Sequence, residues 1–157
     1  MQVNFKIKEG PRVYVKNINI SGNTRTIDKV IRRQVKLSEG DAYNKYAIDL
    51  SKNTIKSLGF FGTVDIEEER VLDSDRVNIN IHVEEKNTGE VSAGAGYSSA
   101  SKTSVTFGLK EKNFLGKGQK ANFQATFAET QSTYDISFEE PYYNNKNLSL
   151  RGDLYSK

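Results

Sequence analysis

The spacing of hydrophobic positions changes character near residue 88, and the chain divides there. Before that point strand and helix signals alternate. Residues 3–8 alternate apolar and polar positions and stop at Glu9-Gly10-Pro11, so they predict a strand that ends something upstream. Residues 12–20 predict a second strand. Its inward set shifts parity from Val13 and Val15 to Ile18 and Ile20, which predicts a bulge before the turn Ser21-Gly22-Asn23. A helix is then expected, with Thr26 as N-cap, Asp28 in the electropositive first turn, and Ile27, Val30 and Ile31 on one face. A second helix is expected over about 44–58, with an apolar stripe of Ala47, Leu50, Ile55 and Leu58 and with Gly59 as its stop. Two strands follow, one around Val64 and Ile66, the other over 77–83. The second is the more apolar (Val77, Ile79, Ile81, Val83) and is expected to be the central one. Residues 11–88 thus read as a β-α-α-β-β unit of α+β class, with helices on one face of a small sheet.

After Asn87-Thr88-Gly89 the helical signal disappears, and five alternating runs follow at 90–97, 103–110, 121–128, 133–139 and 148–155. One face carries Val91, Ala93, Ala95 and Tyr97, then Val105, Phe107 and Leu109, then Phe123 and Phe127, then Ile136 and Phe138, then Leu148 and Leu150. No position on that face within these runs is charged. Glu90, Lys110, Asp135, Glu139, Arg151 and Asp153 all fall on the other face. The separation fits an antiparallel meander with one side in lipid, because a basic side chain at the bilayer midplane costs about 2–4 kcal/mol. Alternation alone also fits a soluble sandwich. Two connections, Asn113 to Gly118 and Pro141 to Asn145, carry aromatic residues beside turn residues. If consecutive strands are antiparallel they lie at one end of the sheet, as an interfacial girdle would.

Composition narrows the function classes. The hydrophobic share is 36% and charged residues make up 27%, polar for a membrane protein but compatible with a barrel, where only alternate residues meet lipid. No apolar run approaches the length of a membrane-spanning helix. No secretory signal opens the chain, so a mature form or a fragment of an exported protein is expected. The absence of cysteine removes disulfides, thiolate metal sites and cysteine nucleophiles. The net charge of +3 is interspersed, which argues against a nucleic-acid partner. His82, the one histidine, sits on the polar face of a strand with no nucleophile marked beside it. Gly94-Ala95-Gly96 lacks the third glycine and the helix of a dinucleotide loop. Asp73, Asp75 and Glu67 to Glu69 lack the regular ligand spacing of a calcium loop. No enzyme activity, metal or cofactor is expected.

Several strings in order resemble the BamA family of outer-membrane assembly factors. These are Gly22-Asn23-Thr24, Val30-Ile31-Arg32-Arg33 with Glu39-Gly40-Asp41, Leu58-Gly59-Phe60-Phe61, Val83 to Gly89, Asn113 to Gly118, and Glu140-Pro141-Tyr142-Tyr143. The resemblance implies that residues 1–10 end a preceding POTRA domain, 11–88 form a POTRA domain in the periplasm, and 89–157 are the first strands of a truncated outer-membrane β-barrel. It implies a role in folding and inserting β-barrel outer-membrane proteins by strand pairing with clients and without ATP. A related POTRA-barrel secretion transporter (two-partner secretion or TamA-like) is the alternative. An outer-membrane enzyme and a soluble two-domain binding protein are the rivals from other classes. Arg32, Arg33 and Gln34 are candidate contacts for an accessory assembly lipoprotein. Gln34 stands where a carboxylate can follow the arginine pair, which puts an ion pair there in doubt. Val64, Ile66 and Glu68 mark the sheet edge expected to pair with clients. Val91, Ala93, Gly94, Ala95, Gly96 and Tyr97 form the strand expected at the barrel seam. The apolar face is expected to meet outer-membrane lipid, and the truncated chain is expected to self-associate through its sheet.

Overall fold

The structure, a computed structural model, describes residues 12–100 and 102–156. The strand expected over 3–8 lies outside the described residues. The first unit consists of β1 (Tyr14–Ser21), α1 (Asp28–Arg32), α2 (Lys45–Ser57), β2 (Phe61–Arg70) and β3 (Arg76–Glu85). Its three strands lie in the order β1-β3-β2, with β1 parallel and β2 antiparallel to β3. The most apolar strand is therefore central, since only a middle strand can bury Val77, Ile79, Ile81 and Val83 between two neighbours and under the helices. The parity shift in β1 is a register break between Val15 and Ile18, which lets both side chains reach the core.

The helices depart from the sequence reading in two places. Asn44 caps α2 by accepting the backbone N–H groups of Tyr46 (2.9 Å) and Ala47 (3.4 Å). The face of α2 that packs inward carries Ile48, Ser51 and Ile55, while Leu50 is 39% exposed. The expected stripe was rotated because a serine at 51 hid the true i, i+3, i+7 row. Ser51 is buried without penalty: its hydroxyl donates to the Ala47 carbonyl at 2.6 Å and accepts the Lys36 N–H at 2.8 Å. Thr26 does not cap α1. The N-cap is Ile27, with no side-chain bond, and α1 is only five residues long.

Gly59 takes the positive φ of +74° that ends α2. Gly22, after β1, is more constrained. Its φ is +87°, and a Cβ there would lie 1.9 Å from the Val83 carbonyl oxygen of β3.

The second unit is a five-stranded antiparallel sheet in sequence order: β4 (Gly89–Ser98), β5 (Lys102–Phe114), β6 (Gln119–Ala128), β7 (Ser132–Glu140) and β8 (Leu150–Ser156). Its register joins Val91, Leu109, Phe123, Ile136 and Leu154 into one apolar row. The neighbouring row, Glu90, Lys110, Asn122, Ser137 and Asp153, faces the other way. Two expectations change. Leu148 lies in the connection before β8, where its carbonyl accepts the Tyr143 N–H at 2.8 Å. The strands also run past their expected ends, which brings Glu111 and Glu140 onto the apolar side at the end nearest the first unit. Ala125 is the one buried apolar side chain of this sheet among the described residues, so neither face has a protein layer over it.

The units are joined at β3. Glu85 ends it, and Lys86 to Thr88 lead directly into β4. The Glu85 carboxylate accepts the Thr24 hydroxyl at 2.8 Å and the backbone N–H groups of Arg25 at 2.9 Å and Thr26 at 2.6 Å. Partial burial acts to raise its pKa, but these donors outweigh it and hold the group at about 2. The connection Leu115 to Gly118 docks on the same loop: the Ile27 N–H donates to the Gly116 carbonyl at 3.0 Å, and Asn113 Nδ2 donates to Thr26 Oγ1 at 2.9 Å.

Two outcomes are expected for residues 11–88 expressed alone and unfolded in urea. Gly22→Ala should cost about 2–4 kcal/mol through strain and collision with β3, whereas Gly62→Ala, which has room, should change stability by under about 1 kcal/mol. Equal effects would remove the close-approach argument. Glu85 has a depressed pKa, so its contribution is full above its ordinary pKa near 4.5 and is lost as pH falls toward 2. The stability gap between wild type and Glu85→Gln, about 1 kcal/mol at neutral pH, should therefore close between those pH values. A gap independent of pH would contradict the anchoring of this loop by a carboxylate.

Candidate strand-pairing edges

The sheets present backbone edges, and the edges differ in how they are guarded. β4 pairs with β5 on one side, and among the described residues nothing pairs with its other side. All ten of its residues are exposed. Its inward and outward sets are both small: Val91 and Tyr97 are the only large apolar side chains, at 82% and 76% exposure, with Ala93 and Ala95 between them. A Cβ at Gly94 would meet no atom within 4 Å, and one at Gly96 would meet only the Ser104 hydroxyl at 3.5 Å. These glycines are permissive positions, not tight ones. They leave β4 with little side-chain packing on β5, which makes its pairing dependent on backbone hydrogen bonds.

In the first unit the two sheet edges are unequal. The outer edge of β1 is partly covered by residues 40–43. Val15 exchanges backbone bonds with Asp41 (2.9 Å) and Gly40 (2.8 Å), and Glu39 accepts the Ile18 N–H at 3.1 Å. β2 carries no such cover among the described residues, so its backbone edge is the open one. The side chains named for this edge do not point outward from it. Val64 is buried at 1% exposure, and Ile66 packs on the same core. Glu68, on their face, bonds the Lys45 ammonium at 2.9 Å and the Tyr43 hydroxyl. Burial, followed by that carboxylate, pushes the Tyr43 phenol up to about 12.

The α1 residues named as lipoprotein contacts have internal partners. Arg32 bonds Asp28 at 2.9 Å and the Ile18 carbonyl at 3.1 Å, and it stays exposed. The Arg33 guanidinium stacks 3.9 Å from the ring centre of Tyr142, in the β7–β8 connection. Gln34, 4% exposed, shares a hydrogen bond with the same tyrosine hydroxyl at 3.1 Å. The surface available to an outside partner at this helix is thus Arg32 rather than Arg33 or Gln34. Tyr142, Asn113, Thr26 and Glu85 escaped the sequence reading as a group. The only signal was the turn-plus-aromatic pattern of the two connections, which both meet the first unit. The residues expected to face lipid remain open: Val105, Phe107, Leu109, Phe123, Phe127, Ile136, Phe138, Leu148 and Leu150 are 37–55% exposed.

Comparison with known proteins covers both units. The POTRA family model (surface antigen variable number repeat) matches residues 13–86, and the Omp85 superfamily domain model matches residues 113–157. The chain is 30% identical over 155 residues to the outer membrane protein assembly factor BamA of Nitratidesulfovibrio vulgaris, covering 99% of this chain and 20% of that protein. It is 33% identical over 152 residues to BamA of Buchnera aphidicola, covering 95% of this chain and 25% of that one. A crystal structure of BamA from Haemophilus ducreyi lacking POTRA domains 1–3 superposes with a TM-score of 0.83 at 32% identity, over 93% of this chain and 28% of that one. The chain spans between a fifth and a quarter of the length of these two curated relatives. With a POTRA unit leading through three residues into the opening strands of a barrel, the chain belongs to the Omp85 superfamily and is of the BamA type.

Proposed function

We propose that this chain is the periplasm-to-membrane junction of a machine that folds and inserts β-barrel proteins in the bacterial outer membrane. The observation that carries the reading is the edge of β4 with which no described strand pairs. It offers the exposed, glycine-bearing backbone of Val91 to Tyr97, and it is tied to a POTRA unit whose β2 edge is likewise not paired by any described strand. An extended client captured at β2 would gain backbone hydrogen bonds in the periplasm. A client strand on β4 would gain them at the membrane, where no water competes and an unpaired group costs several kcal/mol. The step is downhill and needs no nucleotide. The POTRA unit lies in the periplasm, the apolar face of the second sheet meets lipid, and Arg32 is the residue of α1 left open to an accessory lipoprotein.

The chain has no cysteine, so a single introduced thiol reports cleanly. In the full-length parent, Ser92→Cys should form a disulfide adduct with a client carrying one cysteine in its terminal strand. Clients that assemble normally while no position of β4 gives an adduct would sink the pairing step.

The apolar face has a second consequence. The described sheet leaves Phe107, Phe123, Phe127 and Phe138 38–50% exposed on one side, more than a soluble monomer usually leaves open. The chain should associate through this sheet in detergent-free buffer, as read by light scattering. Phe107→Arg with Phe123→Arg should reduce the association, and Thr106→Arg with Gln124→Arg, on the polar face, should reduce it less. A stable monomer would favour the soluble-domain reading over the membrane one, and equal effects from both pairs would mean that the lipid has been assigned to the wrong side of the sheet.

A further inference from the structure

Two cavities adjoin at the end of the second sheet nearest the first unit. One, of about 510 Å³, is an open groove on the apolar face. It exists because Glu111 stands in the sheet between Gly89 on β4 and Ala121 on β6, and neither neighbour has the bulk to cover it. A Cβ at Gly89 would already lie 3.2 Å from the Glu111 carboxylate. Val91, Leu109 and Phe123 form the next row along the sheet. Phe114 and Phe138, edge to face with ring centres 6.2 Å apart, complete the lining. The other cavity, of about 400 Å³, lies against the first unit and shares Glu111 and Phe114 with the groove. Its lining carries two cations, Arg25 and Lys86, and two carboxylates, Glu85 and Glu111. These charges balance in number but are not joined: among the described residues none of the four forms an ion pair. The carboxylates differ in what they still offer. Glu85 accepts four donors, the hydroxyls of Thr24 and Thr26 and the N–H groups of Arg25 and Thr26, which fills a carboxylate. Glu111 accepts three, the Thr88 hydroxyl and the N–H groups of Lys112 and Asn113, so one of its roughly four lone-pair sites is left.

We propose that the two cavities together hold one membrane phospholipid with a zwitterionic, primary-amine headgroup. Its ammonium donates to the remaining lone pair of Glu111, its phosphate lies toward Arg25 and Lys86, and one acyl chain runs along the gap between Gly89 and Ala121. The lining selects this occupant by charge. An anionic lipid or a fatty acid would bring a further negative charge to Glu85 and Glu111 and leave the Glu111 lone pair empty. A simple alkylamine would leave both cations without an anion. A quaternary ammonium has no N–H to donate. The source is the bilayer because the groove opens on the face of Leu109 and Phe123. The proposal thus rests on the reading that this face meets lipid, and it adds to that reading a site that distinguishes one headgroup from another.

The test uses the full-length parent in uncharged maltoside micelles, with bound lipid counted by native mass spectrometry. Dioleoyl phosphatidylethanolamine should fill one saturable site about fivefold more tightly than dioleoyl phosphatidylglycerol or dioleoyl phosphatidylcholine. Glu111→Gln should erase that preference. Lys86→Gln, at an exposed side chain with no internal partner, should weaken phosphatidylethanolamine about threefold, and it keeps the test decisive if Glu111→Gln disturbs the junction. Ala121→Phe, which fills the groove, should weaken all three lipids. Asp73→Asn removes a charge of the same sign in the turn at the opposite end of β3 from Glu85 and should change nothing. Equal occupancy by the three lipids, a preference that survives Glu111→Gln, or no effect of Lys86→Gln overturns the site. Glycerophosphoethanolamine, which lacks acyl chains, binding as tightly as the lipid removes the groove from the site and overturns the proposal. The side on which lipid lies is tested separately by the Phe107 and Phe123 pair, so a parent that passes there and shows no headgroup preference fails this site alone.

Discussion

Three parts of the chain meet at Thr26, and the relation between the two sheets depends on how that residue is satisfied. It is 2% exposed, so each of its polar groups needs a partner inside the protein. Its N–H goes to Glu85 at the end of β3, its hydroxyl oxygen accepts from Asn113 at the end of β5, and its carbonyl accepts from Asn23 in the loop after β1. The neighbouring Ile27 N–H reaches Gly116. That contact is possible only because residue 116 has no side chain: a Cβ there would sit 2.0 Å from the Arg25 carbonyl oxygen. Removing any one partner leaves another buried polar group unpaired, so these bonds are coupled and their effects will not add. The POTRA unit is thereby fixed to the β5–β6 connection of the second sheet by side-chain and backbone bonds as well as by the covalent link through Lys86 to Thr88.

The two sheets solve burial in opposite ways. In the first, α1 and α2 cover one face, and Ile31, Ile48, Ile55 and the β3 residues are sealed beneath them. The second has no covering layer, and its largest apolar side chains remain near half exposure. Such a sheet gains little from water exclusion within the protein. Its hydrogen bonds hold it together laterally, and its apolar side would gain from an apolar covering. An element with weak internal packing, and with one edge that no described strand pairs, is also one that a neighbouring strand can join at low cost, which is why the structural weakness of β4 and its proposed use coincide.

Much of this was legible along the chain. The bulge in β1, the central place of β3, the stop at Gly59 and the five-strand meander all follow from local periodicity and turn residues, which do not need a partner to be read. What escaped were positions defined by long-range contacts. Thr26 looks like a helix cap because cap residues and buried hydrogen-bonding threonines are the same residue type, and its real partners lie 59 and 87 positions away. Ser51 looks like a surface residue until Lys36 offers it an N–H. Arg33 and Gln34 look solvated because nothing near them in sequence announces Tyr142, 108 residues beyond Gln34. Local pattern gave the elements, and the docking between them had to come from the fold.

Glu111 and Glu140 belong to this docking and also mark a level. They sit on the apolar side of the sheet, where a carboxylate in hydrocarbon would be costly, yet each is held by donors: Glu111 by the Asn113 N–H at 2.7 Å, Glu140 by Gln119 at 2.7 Å and the Tyr142 N–H at 2.9 Å. On the proposed reading, in which this side meets lipid, the hydrocarbon stops short of them. The same two carboxylates lie beside the connections that rest on α1. On the proposed reading, in which the apolar face meets lipid, the contact between the POTRA unit and the second sheet lies at the boundary of the membrane and leaves the edge of β2 in water.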